Sequence, residues 1–337
     1  MSDVGARARV SHQTVSRVLN DMPGVHPDTA ARVRAAILEL GYRRNQSARL
    51  LASRRSGLIG VATWDNSQFG PQQILVGLEV AAREAGYRLW VRTLGALTEE
   101  SIGEAVEELL GIGVEAVALV VPHETVSRFA QAVDLGVPTL VLEGDLSQSA
   151  LTANVDNVLG GRLAVRHLLE LGHETVVHVA GPEGWSEALA RLEGWRLELE
   201  TWGRPVPSLR WTGDWSSRSG FEAGIELAKD RSITAVFAAN DQMALGVMSA
   251  LQRQGRRVPE DVSVVGFDDL PEAPYFQPAL TTVRQDFGEV GRRAMRLVTR
   301  ALAGEPQPAE KLVIPVLVPR DSSAPRASSP ECDAEAP

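Results

Sequence analysis

Side chains that can read DNA bases are concentrated in residues 12–17, close to the N-terminus. Gln13 and Arg17 can each form two hydrogen bonds with one base edge in the major groove, Gln13 with adenine and Arg17 with guanine. The other polar members of the segment can reach bases or phosphates, and they are His12, Thr14 and Ser16. A solvated helix face has a similar composition, so the surrounding sequence must decide between the two interpretations.

The charge distribution favours the DNA interpretation. The chain has 337 residues and a net charge of −9, but the segment up to Gly57 carries ten Arg against four acidic residues, a net charge of +6. The remainder carries 24 basic and 39 acidic residues. A basic head on an acidic body indicates that only the head meets a polyanion.

Three short helical patterns position the polar segment. Residues 3–9 form the first, and Ser11 is the expected N-cap of the second, whose apolar face comprises Val15, Val18 and Leu19. Pro27 opens the third. Three helices with a tight turn between the first two predict a helix-turn-helix unit. A further two-turn helical pattern follows in residues 45–52, too short to be stable alone.

After Gly57 the pattern changes to alternating strands and helices, so the fold class is α/β. Helical patterns such as 71–85 and 242–253 separate short apolar runs that read as buried parallel strands. These runs are residues 58–63, 116–121, 138–142, 175–180, 234–239 and 262–267. Roughly 260 residues are too many for one sheet. We therefore expect a body of two doubly wound parallel-sheet subdomains, with a cleft where the carboxyl ends of the strands meet.

Other classes of protein fit poorly. No apolar run approaches the roughly 18 residues that span a bilayer, no secretory signal is visible, and Cys332 is the single cysteine. Residues 111–116 match a loose dinucleotide pattern but follow a helix and precede a strand, the wrong order for phosphate binding. We expect a cytoplasmic protein with no membrane contact, no metal, no cofactor and no catalytic residue.

Several blocks in order resemble the LacI/GalR family of transcriptional regulators. They are residues 11–20, 40–42, 45, 180–182, 194–195, 213–216, 239–246, 264–269 and 280–287. The resemblance implies a headpiece in 1–44, a hinge helix and linker in 45–57, and a periplasmic-binding-protein-like sugar-binding and dimerisation core in 58–318. It also implies a homodimer that grips a near-palindromic operator in double-stranded DNA. Asn45, Ala48 and Leu51 would then contact DNA from paired hinges, with Leu51 wedged into the minor groove.

The resemblance further implies a small carbohydrate effector in the cleft. The matching positions are Trp64, Glu143, Trp185, Arg191, Trp215, Asn240, Asp268, Gln285 and Phe287. An Arg and an Asp can bond adjacent hydroxyls, and Trp215 can pack on the apolar face of a pyranose. Without the family, Arg191 would be read as a surface residue, Asp268 as a turn residue and Asn240 as a helix N-cap.

This chain departs from the family pattern in several places. Trp64 and Trp185 stand where small polar residues are expected, and Glu143 replaces an aspartate, so a galactoside remains one option among glycosides. Arg9 occupies a turn position where glycine is usual. We also expect the native start to lie upstream of Met1 and residues 319–337 to be a disordered tail. The resemblance implies a transcriptional repressor that the sugar releases from its operator. The alternatives are a regulator whose ligand strengthens DNA binding, and a sugar-binding protein without a regulatory role on DNA.

Overall fold

The computed structural model describes residues 1–19, 22–42, 55–64, 68–144, 151–308 and 312–326. The chain forms two compact units, Met1–Ser56 and Gly57–Pro337. Most of the hinge segment predicted in 45–57, including Asn45, Ala48 and Leu51, lies outside the described residues. No helix within those ranges combines the length and the apolar character that crossing a bilayer requires.

The first unit contains the three predicted helices. They are α1 (Ser2–Ala8), α2 (His12–Leu19) and α3 (Pro27–Glu39). Val4, Val15 and Val33 are fully buried at their shared core. The Ser11 hydroxyl accepts a hydrogen bond from the backbone N–H of Thr14 at 3.2 Å, which confirms the predicted N-cap of α2.

Arg9 ends α1 in the left-handed conformation, with φ 53° and ψ 49°. Its backbone N–H donates to the carbonyl of Ala6, and that of Val10 donates to the carbonyl of Gly5. This geometry favours glycine, and a side chain with a Cβ costs about 1 kcal/mol there. The turn position where glycine is usual thus has the left-handed conformation, and Arg9 occupies it with backbone strain.

The second unit begins at Gly57 and contains twelve strands and eight α-helices in the part that the structure describes. The strands are β1 (Leu58–Thr63), β2 (Arg88–Thr93), β3 (Ala116–Val120), β4 (Thr139–Leu142), β5 (Leu151–Val155), β6 (Val177–Ala180), β7 (Trp211–Thr212), β8 (Ala235–Ala238), β9 (Ser263–Asp268), β10 (Thr281–Arg284), β11 (Leu312–Val313) and β12 (Val316–Val318). The helices are α4 (Phe69–Glu84), α5 (Glu99–Gly111), α6 (Glu124–Ala132), α7 (Asn157–Glu170), α8 (Ser186–Thr201), α9 (Ser217–Leu227), α10 (Asp241–Arg253) and α11 (Phe287–Leu302).

The strands form two six-stranded sheets, as predicted. The N-lobe sheet has the order β11-β5-β4-β3-β1-β2, and the C-lobe sheet has the order β12-β10-β9-β8-β6-β7. All pairs are parallel except β10 with β12, which is antiparallel. Helices α4 and α11 cover one face of the N-lobe sheet, and α5 and α6 cover the other. In the C-lobe, α7 and α8 cover one face, and α9 and α10 the other.

The chain passes between the lobes three times within the described residues. It leaves the N-lobe after β5 and enters α7, returns between β10 and α11, and passes back between β11 and β12. Each crossing follows the carboxyl end of a parallel strand. Residues at these ends therefore lie between the two lobes, where open α/β sheets bind their ligands.

The prediction of a disordered tail is wrong for residues 319–326. Ser322 is fully buried, and its hydroxyl accepts from the backbone N–H of Thr281 at 2.8 Å and donates to the carbonyl of Val264 at 2.6 Å. Arg320 pairs with Asp269 at 2.6 Å. The segment was misread because its Ser and Pro residues lack periodicity, whereas its order comes from hydrogen bonds to the interior strands β9 and β10. Residues 327–337 lie outside the described residues.

Candidate functional site

Helix α2 separates polar and apolar side chains cleanly. His12, Gln13 and Arg17 are exposed, whereas Thr14 and Ser16 are partly exposed. Val15 and Val18 are buried on the opposite face. The side chains that could read bases are thus presented together by a rigid helix whose other face is fixed by the core of the headpiece.

A cavity of about 380 Å³ in the body gathers four of the nine predicted effector positions. We call it the Trp215 cavity. Its lining includes Arg191, Trp215, Asn240 and Asp268, together with Phe69, Pro71, Gln242 and Glu187. An aromatic face beside a guanidinium, an amide and a carboxyl is a combination suited to a polyhydroxylated ring.

Arg191 is buried on α8, and its guanidinium donates two hydrogen bonds to the protein. Its Nε donates to Oδ1 of Asn157 at 2.9 Å, and one terminal nitrogen donates to the carbonyl of Ala239 at 2.6 Å. The other lies 3.6 Å from Oδ1 of Asp268, and the guanidinium stacks 3.9 Å from the centre of the Phe267 ring. A surface interpretation of Arg191 is therefore wrong. The residue is a fixed positive charge within the cleft.

Asp268 ends β9 with φ 112°, a conformation that side chains rarely adopt. Its Oδ1 accepts a hydrogen bond of 2.6 Å from Nε2 of Gln285. Burial raises the pKa of Asp268 to about 6, although the charge of Arg191 opposes this shift. Gln285 thus orients the carboxyl of Asp268 from behind.

Trp215 also has a positive φ, 72°, and its indole N–H is buried without a hydrogen-bond partner among the described residues. A Cβ at Gly181 would overlap the Trp215 ring, so glycine is required there. The ring of Trp185 meets that of Trp215 edge to face, with centres 6.3 Å apart. Trp185 belongs to the apolar core of the C-lobe and supports Trp215 from behind, instead of lining the Trp215 cavity.

Asn240 is both the N-cap of α10 and part of the lining of the Trp215 cavity, the two roles that the sequence analysis gave for it. Its Oδ1 accepts from the backbone N–H of Met243 at 2.9 Å, which caps α10. Its Nδ2 donates to the carbonyl of Trp215 at 3.1 Å and to Oε1 of Gln242 at 2.9 Å. The cap therefore holds a cavity-lining amide in place.

A second cavity of about 550 Å³ adjoins Glu143, and we call it the Glu143 cavity. Glu143 follows β4 and has a positive φ of 55°. Its carboxyl accepts hydrogen bonds from the backbone N–H of Val155 at 2.9 Å and from Nδ2 of Asn157 at 3.1 Å. Burial raises its pKa to about 7. Three predicted positions, Glu143, Trp215 and Asp268, thus have strained backbones, a feature that clusters at functional sites.

Two of the predicted effector-binding residues, Phe287 and Trp64, lie behind the walls of the two cavities. The side chain of Phe287 lies in the core of the N-lobe, edge to face with Phe69 at 6.1 Å between ring centres. Trp64 is partly buried and packs against core residues of both lobes. Each supports the walls of the cleft, and neither contributes to the lining of the Trp215 or Glu143 cavity.

Asn157 and Glu187 are among the polar residues of the cleft that the sequence analysis missed. Asn157 opens α7 directly after β5, and Glu187 lies in the first turn of α8. Both follow a buried strand of a parallel sheet, and that position is the signal that could have found them. Burial raises the pKa of Glu187 to about 8.

Comparison with known proteins agrees with this architecture. Residues 1–45 match the lacI family of bacterial regulatory proteins, and residues 165–323 match the periplasmic binding protein-like domain. The lactose operon repressor of Escherichia coli (strain K12) is 35% identical over 323 residues, covering 95% of this chain and 89% of that protein. The regulator CelR of Thermobifida fusca is 35% identical over 323 residues, covering 92% and 94%.

Solved structures give the same result. The lac repressor dimer bound to operator and the anti-inducer ONPF superimposes with a TM-score of 0.87 and 34% identity, covering 96% of this chain and 98% of that one. A CelR–cellobiose complex superimposes with a TM-score of 0.71 and 31% sequence identity, covering 95% of this chain and 98% of that one.

A helix-turn-helix headpiece and a two-lobed body with a polar cleft define a DNA-binding transcriptional regulator, not an enzyme. The chain belongs to the LacI family.

Proposed function

We propose that the protein is a transcriptional repressor that a small sugar releases from a near-palindromic operator. The observation that carries the proposal is the Trp215 cavity, where an aromatic face, a buried guanidinium, an amide and a carboxyl converge between two lobes. Two relatives point to carbohydrates, since one is named for the lactose operon and the other was solved with cellobiose. Acting on chromosomal DNA, the protein would work in the cytoplasm.

Helix α2 would enter the major groove and read the operator. Gln13 and Arg17 would contact base edges, with His12, Thr14 and Ser16 beside them. Asn45, Ala48 and Leu51 would add hinge contacts in the centre of the site, although they lie outside the described residues. Pairing would order two hinges that are too short to be helical alone. Separation of the hinges by the ligand would then weaken the grip on DNA.

The functional unit would be a homodimer. The edge strand β2 and the neighbouring helix α4 leave four apolar side chains 38–52% exposed, namely Val76, Val80, Trp90 and Val91. Apolar side chains left exposed at one edge of a sheet favour a surface that another chain covers. The lac repressor relative was solved as a dimer on its operator. A twofold axis would place two α2 helices in successive major grooves.

The test begins by selecting a binding site from random duplex DNA with the full-length protein. Fluorescence anisotropy then measures affinity for that site with and without sugars. We expect Gln13→Ala to cost about 1–3 kcal/mol of binding free energy and to relax specificity at one position per half-site. Arg32→Ala on α3 is a control that removes one exposed positive charge from another helix of the headpiece.

The sign of the sugar effect separates the two modes of regulation. A sugar that weakens DNA binding supports the proposed release, and a few kcal/mol of differential affinity is sufficient. A sugar that strengthens binding would establish the co-repressor alternative. A protein that binds sugar but selects no DNA sequence would contradict the assignment as a repressor.

A further inference from the structure

The turn between α1 and α2 contains an arginine that the proposed reading of DNA does not use. Arg9 directly follows α1 and lies three positions before His12, the first residue of α2. Ala8 is buried and Val10 packs against the core of the headpiece, whereas Arg9 is exposed. Among residues 8–10, Arg9 is therefore the one whose side chain a ligand can reach.

The backbone of this turn is held firmly against α1. The N–H of Arg9 donates to the carbonyl of Ala6 at 3.3 Å, and the N–H of Val10 donates to the carbonyl of Gly5 at 2.9 Å. A Cβ at Gly5 would lie only 2.9 Å from the carbonyl oxygen of Val10, so the turn packs directly on the helix. Arg9 is thus presented at a fixed place on the surface of the headpiece.

Arg9 keeps this place in a conformation that suits glycine better. Its φ of 53° lies in the left-handed region, where a Cβ is unfavourable. Backbone strain of this kind clusters at ligand clamps and other functional sites, where the surrounding structure maintains it. The strained turn therefore indicates a function for the side chain, which glycine would lack.

The positive charge of Arg9 has no partner in the part of the headpiece that the structure describes. Arg7 on α1 pairs with Glu39 on α3 at 2.7 Å, so its charge is already balanced within the headpiece. The side chain of Arg9 forms no hydrogen bond or ion pair with any described residue. Arg9 can therefore bind an external anion without first giving up an internal contact.

The place of Arg9 in the helix-turn-helix unit indicates which anion it binds. In such units the first helix crosses the DNA backbone, and the second enters the major groove with its N-terminal residues at the base edges. Arg9 lies between these two arrangements, at the end of α1 and shortly before Gln13. This junction of the two helices meets DNA at the phosphates that border the groove.

We propose that Arg9 binds a phosphate at the edge of the major groove that α2 enters. Its guanidinium forms two parallel hydrogen bonds with the phosphate oxygens and releases condensed counterions from the DNA. The contact fixes the position of α2 on the duplex but carries no sequence information, in contrast to Gln13. This inference rests on the proposed function, because it assumes that α2 reads an operator.

The salt dependence of DNA binding tests the proposal. Fluorescence anisotropy of the full-length protein gives its affinity for the selected DNA site between about 50 and 200 mM salt. We expect Arg9→Gly to weaken binding about tenfold or more at roughly 100 mM salt. The slope of log K against log salt concentration should become less steep by about 0.9 for each Arg9, or about 1.8 for a dimer. Arg9→Lys keeps a cation and should retain most of the slope.

Arg9→Gly also separates the charge from the fold. Glycine relieves the left-handed conformation of the turn, so a loss of affinity in this variant does not come from a destabilised turn. A duplex of scrambled sequence should lose affinity by the same factor as the selected site, because every duplex carries phosphates. Gln13→Ala should instead lose affinity mainly for the selected site. Arg218→Ala on α9, which removes an exposed arginine from the body, should change neither the affinity nor the slope.

Three results would overturn the assignment of Arg9 while leaving the repressor intact. They are an unchanged affinity and slope in Arg9→Gly, a loss of affinity confined to the selected sequence, and a slope in Arg9→Lys as low as that in Arg9→Gly. A loss confined to the selected sequence would mean that Arg9 reads a base. A native protein that binds no DNA would overturn the proposed function and this inference together.

Discussion

Glu143 in the N-lobe and Arg191 in the C-lobe share one partner, Asn157. The Asn157 amide donates to Oε2 of Glu143 at 3.1 Å, and its carbonyl oxygen accepts from Nε of Arg191 at 2.9 Å. Because Asn157 follows β5 directly, it lies where the chain first crosses between the lobes. Because Asn157 and Arg191 both lie on C-lobe helices, a movement of one lobe relative to the other must disturb the hydrogen bond between Asn157 and Glu143.

The first prediction concerns this link. Asn157→Ala leaves a buried carboxyl and a buried guanidinium each without one partner, so we expect a loss of about 1–3 kcal/mol in the free energy of unfolding. Urea denaturation of the body measures it. Gln252→Ala removes an exposed amide that donates to the carbonyl of Gln277 and should change stability by less than about 0.5 kcal/mol. Equal stabilities of the two variants would show that Asn157 does not join the lobes.

The second prediction separates ligand sensing from DNA binding. Gly181→Ala places a methyl group where the Trp215 ring lies, so the ring must move and sugar affinity should fall at least tenfold. Affinity for the selected DNA site should stay within twofold, measured by anisotropy. Gly103→Ala on α5 is the control, since its Cβ would meet the Phe129 ring at an ordinary 3.8 Å. Unaltered sugar response in Gly181→Ala would contradict the role of Trp215 as a sugar platform.

The third prediction is a pH dependence of stability. Burial raises the pKa of Glu143 to about 7 and of Glu187 to about 8, whereas both carboxyls ionise near 4.5 in the unfolded chain. The folded state therefore binds more protons than the unfolded state up to these values, and stability must fall as pH rises through them. Between its pKa in the unfolded chain and its raised pKa in the folded protein, each carboxyl lowers the stability by at most about 1.4 kcal/mol per pH unit.

Measurements between about pH 7.5 and 9 reduce the opposing contribution of the histidines. His178 and the other histidines with lowered pKa act in the opposite direction, mainly below about pH 7.5, because their imidazoles bind protons in the unfolded chain up to that pH. Asp241, whose pKa burial also raises, acts in the same direction as the two glutamates. Urea denaturation at both pH values should show a loss of stability that is smaller in the double variant Glu143→Gln/Glu187→Gln. Glu222→Gln, which removes an exposed carboxylate from α9, should retain it. Stability that rises with pH in the native sequence would refute the assignment.

The architecture of the body follows from sequence to a large extent, for a physical reason. Strands buried on both faces, such as β1 and β3, are continuous apolar runs, and their predicted bounds agree with the structure to within two residues. The exposed edge strand β2 and the polar strand β5 lack that signal, so the sequence analysis did not find them. Their pairing depends on neighbours in the sheet, which no local pattern reports.

The cleft was predictable only in part. The family pattern identified the positions of Arg191, Trp215, Asn240 and Asp268, which the structure brings around one cavity. Asn157 was missed because it follows β5, a strand that the sequence analysis did not find, and because its partner Arg191 lies 34 residues away. Likewise, the unpaired oxygen of Glu187 becomes visible only when the surrounding side chains are in place.

The last prediction concerns Arg9, which ends α1 with φ 53°. Arg9→Gly should relieve the left-handed strain and stabilise the headpiece by about 1 kcal/mol, although the added freedom of glycine in the unfolded chain offsets part of the gain. Arg9→Ala removes the same charge but keeps a Cβ, so it should give no comparable gain. Hydrogen exchange of the Val15 and Val18 amides in the full-length protein reports the difference. Slower exchange in Arg9→Ala than in Arg9→Gly would mean that the turn does not store backbone strain.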